Sequence, residues 1–184
     1  QTQDHVIALA QQLGIGTFKT YNDGNNVYYA NGTLLPYSAG GPLGPVPPDP
    51  SGGAEAEEAI TLINQMAATV PVQAPWTAPN ATTWDSQTLE TWKQNNLHTP
   101  NGQALLDVGI EAVFAAEPRD VSLLFALFYT ASATNESTPP DINRLFSTAG
   151  GAQDSRLIGG SQLISIRMAQ RLGRRVLLNQ PVRI

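Results

Sequence analysis

The stretch GGAQDSRLIGGSQ, Gly150 to Gln162, holds two glycine pairs, a neutral amide and the start of a helical pattern. Glycine-rich loops that run into helices cradle phosphates when they carry GxxxxGK[ST]. Here Gly159-Gly160 is followed by Ser161, so no such motif is formed. GIGTFK, Gly14 to Lys19, lacks the third glycine of a dinucleotide fingerprint and lies after a helical pattern and before a strand, the reverse of the order a pyrophosphate needs. His5 and His98 are the two histidines, neither with a second ligand four residues on, which leaves a metal site to carboxylates alone. Asp107, Glu111 and Glu117 recur at near-helical spacing and could act as acid and base, although groups so placed more often form a solvated face or pair with arginines. GxSxG, SxxK and cysteine are all absent. No catalytic residue and no metal ligand is assigned.

The whole chain sets bounds on what these residues can do. Its 184 residues, 41% hydrophobic and 14% charged, suit one soluble globular unit with a sizeable core. The longest charge-free apolar run, Val121 to Asn135, falls short of the ~20 residues that span a bilayer and reads as a buried helix. Gln1 opens almost directly onto a helical pattern without the regions of a signal peptide, and the compartment stays unassigned. A net charge of −5 divides unevenly, since residues 144–184 carry seven arginines against Asp154 alone. Arg167, Arg171, Arg174 and Arg175 could form an anion-binding face, but no aromatic or recognition motif accompanies them, so a nucleic-acid partner is not expected. A segment facing an acidic neighbour has the same asymmetry. Sequons at Asn31, Asn80 and Asn135 decide nothing in a chain rich in Asn and Thr.

The elements that must position a site follow from periodicity. DHVIALAQQL reads as a helix stopped by Gly14; Thr17–Tyr21 and Val27–Ala30 read as strands about NDGNN, with Gly32 turning into TLLPYS, a small hairpin or meander. Six prolines and five glycines between Pro36 and Gly53 make a surface loop. Glu55 to Val70 should be a helix with Ala59, Ile60, Ile63, Met66, Ala67 and Val70 inward. Asp85 or Ser86 is expected to cap a helix to about Asn95, and Thr99-Pro100 another whose run LLDVGIEAVFA is central. Pro118 and Asp120 introduce a third. Ser161 should cap a helix to Leu172 with Leu163, Ile164, Ile166, Met168 and Leu172 inward and Arg167, Arg171 and Arg174 outward, and RRVLLNQPVRI reads as a strand.

Four segments, in order, resemble the flavin-dependent amine oxidases, close to monoamine oxidase: TQDHVIALAQQLGI; QMAATVPVQAPWTAPNATTWDSQTLETW; AAEPRDVSLLFALFY; and STAGGAQDSRLIGGSQLISIRMAQRLGRRVLLNQPVRI. The APW-x-AP-x(4)-WD core and the GGAQ-x(4)-IGGSQ segment carry the likeness, which covers most of the chain. It implies an α+β fold: a mostly helical substrate-domain segment with a small hairpin, flanked by pieces of an FAD-binding α/β domain. Residues 1–17 would be an FAD-domain piece, 18–157 the substrate-binding domain and 158–184 the return into the FAD domain.

The resemblance also implies site residues. Gln153 would point into the cavity before the flavin, with Phe146 on the same wall; Gly109, Ala112 and Val113 would line it from a helix; Leu43 and Ile60 would lie near its entrance; Val182 would contact the adenine side of FAD. Aliphatic residues at 43 and 60 replace aromatic ones of relatives, and glycine at 109 replaces a bulky side chain, which implies a cavity of altered shape. The implied reaction takes an amine to an imine, then to aldehyde and ammonia or amine, while O2 becomes H2O2; the implied partners are the amine, O2 and the remaining FAD-domain polypeptide. The isolated segment is expected to be inactive, since the GxGxxG unit, the lysine near the flavin and the aromatic pair facing it have no match in this sequence. The alternative is a non-catalytic helical binding module derived from the same domain. Substrate identity and oligomeric state are left open.

Overall fold

A computed structural model describes residues 3–30, 32–39, 46–134 and 138–181. Leu43 and Val182 lie outside the described residues. The chain forms helix α1 (Asp4–Gln12), strands β1 (Thr17–Lys19), β2 (Asn26–Ala30) and β3 (Thr33–Tyr37), then helices α2 (Gly53–Ala67), α3 (Ala81–Asp85), α4 (Leu89–Asn96), α5 (Pro100–Phe114), α6 (Leu123–Ser132) and α7 (Asn143–Phe146), strand β4 (Ser155–Leu157) and helix α8 (Gln162–Leu172). The fold is α+β, with two small antiparallel sheets.

The main core is helical. α2 turns Ala59, Ile60, Ile63 and Ala67 inward, as the period of its apolar residues requires, against Leu106 and Ile110 of α5 and Leu123 and Leu127 of α6. The starts of α2 and α5 are fastened to each other. Asp49 accepts the backbone N–H groups of Ser51 (2.9 Å) and Gly52 (2.7 Å), the Tyr28 hydroxyl (2.9 Å) and the Asn101 amide. Thr99 caps α5 by accepting the Gly102 N–H at 3.1 Å, while Glu55 of α2 accepts the N–H groups of His98 and Thr99 and the Thr99 hydroxyl. These hydrogen bonds hold the Glu55 carboxyl below its ordinary range, the Thr99 hydroxyl and the His98 N–H first.

The expected helix from Asp85 or Ser86 is two helices. Asp85 ends α3, and the cap of α4 is Thr88, whose hydroxyl accepts the Thr91 N–H at 3.1 Å. Thr88 pairs with Ser122, the cap of α6, and the Leu89 and Leu123 N–H groups donate to Val121 and Gln87, so two helix starts share a short bridge.

The sheets depart from a single hairpin or meander. β2 and β3 pair as a hairpin, with Asn26 opposite Tyr37, whereas β1 pairs with β4, Thr17 opposite Leu157 and Lys19 opposite Ser155. NDGNN therefore links two sheets and is not a hairpin turn. Beside the β1–β4 ribbon lies a second small core of Ala10, Leu13 and Ile15, with Leu157, Leu163 and Ile164 against it.

α8 reverses part of its expected orientation. Arg167 donates to the Leu13 (2.7 Å) and Gly14 (2.9 Å) carbonyls and Arg171 to the Gln12 carbonyl, so both close the C-terminus of α1, where orphan carbonyls and the helix dipole favour cations. Leu163 and Ile164 pack inward, but Ile166, Met168 and Leu172 are exposed. Ser161 precedes α8 without a side-chain capping bond. Beyond it comes a 3-10 turn, Gly173–Arg175, and no strand among the described residues; Leu177 and Leu178 are exposed.

Candidate functional site

A cavity of about 790 Å³ lies between α2, α5, the β2–β3 hairpin and residues 145–153. Ile60, Gly109, Ala112, Val113, Phe146 and Gln153 all line it, six positions from three separated stretches of chain. Ile60 also belongs to the core, at 6% exposure, so it serves both surfaces. Among the described lining residues none is Asp, Glu, Lys, Arg or His. Sequence reasoning missed Asn22 and the hairpin's share, Asn26, Val27 and Tyr37. Burial pushes the Tyr37 hydroxyl up and a side-chain hydrogen bond with Asn26 opposes it, without cancelling the shift. The signal lay in the alternation of TLLPY, which puts Leu35 and Tyr37 on one face, but of the two only Tyr37, opposite Asn26, reaches the cavity.

The segment carrying Phe146 and Gln153 is held from both sides. Upstream, the Asn64 amide of α2 donates to Asp141 at 3.0 Å and its oxygen accepts the Ile142 N–H at 2.8 Å. Downstream, the Ala152 and Gln153 N–H groups donate to the Arg144 (2.8 Å) and Ser147 (3.2 Å) carbonyls. That tight turn requires glycine. Gly150 has φ of 71°, and a Cβ on Gly151 would sit 2.2 Å from the Ser147 carbonyl oxygen. The Gln153 side chain is exposed to the cavity, its amide nitrogen a long 3.5 Å from the Leu145 carbonyl. Its hydrogen-bonding capacity is therefore largely available.

Phe146 and Gly109 are matched. A Cβ at 109 would lie 3.1 Å from Phe146 Cζ and 3.3 Å from Cε1, so the ring rests on the bare backbone of α5. Room released by glycine at 109 is taken up by the phenyl ring.

A second hollow of about 1430 Å³ lies on the other side of the same segment, against α1 and β1. Leu145 borders both hollows; Gln153 faces the smaller, whereas Gly150, Gly151 and Asp154 border the larger. The strip 145–154 is thus a partition between them.

The other candidates for chemistry are accounted for structurally. Asp107 pairs with Lys93, Glu111 and Glu117 are exposed, and two of the four arginines are spent on carbonyls at or just beyond the end of α1. Among the described residues no group of His, Asp and Glu could hold a metal ion, and no helix is long and apolar enough to cross a membrane.

The pocket is concave, uncharged among its described lining residues, and built by α2, α5, the β2–β3 hairpin and the partition strip. The family is fixed by comparison: the profile of the flavin containing amine oxidoreductases matches residues 1–183, and the chain belongs to that family. AofH of Mycobacterium tuberculosis, which carries a flavin-containing monoamine oxidase name, is 35% identical over 183 residues, 99% of this chain and 38% of AofH. The structure of putrescine oxidase bound to putrescine is similar over 98% of this chain and 38% of that one (TM-score 0.82, 29% identity). Cyclohexylamine oxidase from Brevibacterium oxydans is similar over 95% of this chain and 37% of its own (TM-score 0.81, 26% identity). The chain thus spans little more than a third of these relatives. The cofactor of the family is a flavin, FAD. The neutral lining fits the ring portion of such a group, offering hydrocarbon contact and the side-chain amides of Asn22, Asn26 and Gln153; Val182, the single position expected at the cofactor, lies outside the described residues.

Proposed function

We propose that this chain supplies the substrate cavity of an FAD-dependent amine oxidase, which converts an amine, O2 and water to an aldehyde, ammonia or a smaller amine, and H2O2. One observation carries the reading: Ile60, Gly109, Ala112, Val113, Phe146 and Gln153 converge on one uncharged cavity. The flavin, when bound, supplies the two-electron acceptor. This chain's residues bind and orient. Gln153 can hydrogen-bond an amine nitrogen without titrating, and Phe146 with α5 keeps water from the substrate's apolar part. Because no described lining residue is charged, nothing in this wall pairs with a second ammonium, which favours an apolar monoamine over a diamine. A division near residues 17 and 157 is supported by the two separate cores, the smaller of which draws on residues 9–15 and 157–164 alone.

The test is peroxide release by the intact, flavin-loaded protein from propylamine, benzylamine, cyclohexylamine and putrescine. We expect the monoamines to be oxidised, and Gln153→Ala to lower kcat/KM about five- to tenfold with flavin content unchanged, the worth of one hydrogen bond of about 1–1.5 kcal/mol. The 184-residue chain by itself should be colourless and release no peroxide. An intact protein that binds these amines without flavin absorbance or peroxide would instead be the binding module.

The Gly109–Phe146 match gives a second expected result. Gly109→Leu should drive the ring into the cavity and raise KM for cyclohexylamine roughly tenfold, and less for slender propylamine. Adding Phe146→Ala should restore KM. Equal effects on both amines would show that the ring does not shape the cavity.

A further inference from the structure

Resting on the reading of Gln153 as the group that meets the amine, we infer that Asp154 is the positioning residue that aims it, by tying the partition turn to the β1–β4 ribbon. Gln153 has little to hold it. Its amide makes one long contact of 3.5 Å, so its direction is set by the backbone on either side. Upstream, that backbone is fixed to Arg144 and Ser147 by the bonds described above. Downstream, the next residue is Asp154, and it is anchored in every direction.

One oxygen of the Asp154 carboxylate accepts the Gly150 N–H at 3.0 Å, closing the turn back on the glycine pair; the other accepts the Ser155 hydroxyl at 2.8 Å and meets the Lys19 ammonium. The Asp154 carbonyl accepts the Thr20 N–H at 2.9 Å, extending the ribbon by one rung. Lys19 and Asp154 are 135 positions apart, so the clamp exists only in the folded chain. The Lys19 ammonium, then the Gly150 N–H, hold the carboxyl at about 2, well below its ordinary value. Lys19 is 74% exposed, and an ion pair so open to solvent contributes little; the bond to Gly150 governs the turn. Gly150 is also a poor holder of its own conformation, because glycine loses the most backbone freedom on ordering. An external acceptor at Asp154 offsets that.

The test uses the intact, flavin-loaded protein with Asp154→Ala, Asp154→Asn, Lys19→Met, Gln153→Ala and the pair Gln153→Ala/Asp154→Ala. Two readouts are followed: steady-state kinetics on the fastest amine of the panel above, and hydrogen exchange of the peptide covering residues 148–153. If Asp154 acts through Gln153, Asp154→Ala lowers kcat/KM about as much as Gln153→Ala does, and the double variant is no slower than Gln153→Ala alone. Asp154→Asn, which keeps an acceptor for the Gly150 N–H, and Lys19→Met should both stay within about threefold of wild type. Exchange in 148–153 should rise in Asp154→Ala and in no other single variant. Additive losses, an Asn variant as impaired as the Ala variant, or unchanged exchange would each overturn the assignment. Should the protein oxidise no amine at all, the proposed function fails, and exchange alone then decides whether Asp154 holds the turn.

Discussion

Gly52→Ala is expected to cost about 3 kcal/mol of stability, the upper part of the range for inserting an atom into packed structure. Where α2 and α5 start, a Cβ on Gly52 would lie 2.3 Å from the Gly102 nitrogen and 2.5 Å from the Asn101 carbonyl carbon. Both are backbone atoms of α5's first turn and neither can rotate aside. That turn is also held by the Thr99 cap and by Glu55, and Asp49 grips Gly52 itself, so a shift that relieved the clash would break several hydrogen bonds together. Gly16→Ala is the control, since its Cβ would meet only the flexible end of Ile158 at 3.1 Å. Denaturant unfolding of both variants checks the claim; equal stability would mean that the helices do not approach so closely.

The second large effect is Lys93→Met. The Lys93 side chain is 5% exposed and its ammonium lies 2.6 Å from Glu90 and 2.5 Å from Asp107, joining α4 to α5. Methionine preserves the stem but leaves two carboxylates facing each other without a cation. Breaking a buried pair costs 3–5 kcal/mol; both carboxylates are more than a quarter exposed, so about 2–3 kcal/mol is expected here. The effect has a pH signature. Burial pulls the Lys93 ammonium down, but its bonds to Asp107 and Glu90 more than offset this and leave it above an ordinary lysine. Its contribution is complete below the unfolded lysine value and is lost as pH rises through the higher folded one. Glu90 is lowered, first by its bond to Lys93, so its contribution is complete above the unfolded value of 4.5 and lost as pH falls through the folded one. The stability difference between wild type and Lys93→Met should therefore be widest between about pH 5 and 10 and shrink on either side. A difference that did not change with pH would assign Lys93 a packing role alone.

How far the sequence could be read depended on whether a signal was local. The stripe of α2 and the Thr99-Pro100 start of α5 are written in neighbouring residues, and the structure places both as expected. The split between α3 and α4 was missed because Asp85, Ser86 and Thr88 are all residue types that can cap, and the bridge that marks Thr88 as the start is made to Ser122, 34 positions away. The β1–β4 pairing was missed for the same reason: nothing in TFK names SRL as its partner. The arginines of α8 look like a solvated stripe until α1 presents its carbonyls to them. Six positions implied at the cavity by family resemblance line one hollow, yet the hairpin's Tyr37 and Asn26 carried no comparable motif, and the fit of Phe146 over Gly109 needed coordinates.

The ribbon of β1 and β4 has a consequence for how this fold can vary. Outgoing chain at Lys19 and homecoming chain at Ser155 stand opposite each other, so all that lies between is a closed excursion. Closure entropy grows only with the logarithm of length, so residues gained or lost along the excursion's surface turns alter stability slightly. At the ribbon itself tolerance vanishes, because sliding one strand by a single position would exchange its two faces. Growth is cheap at those surface turns and costly at the doorway through which the chain leaves and comes home.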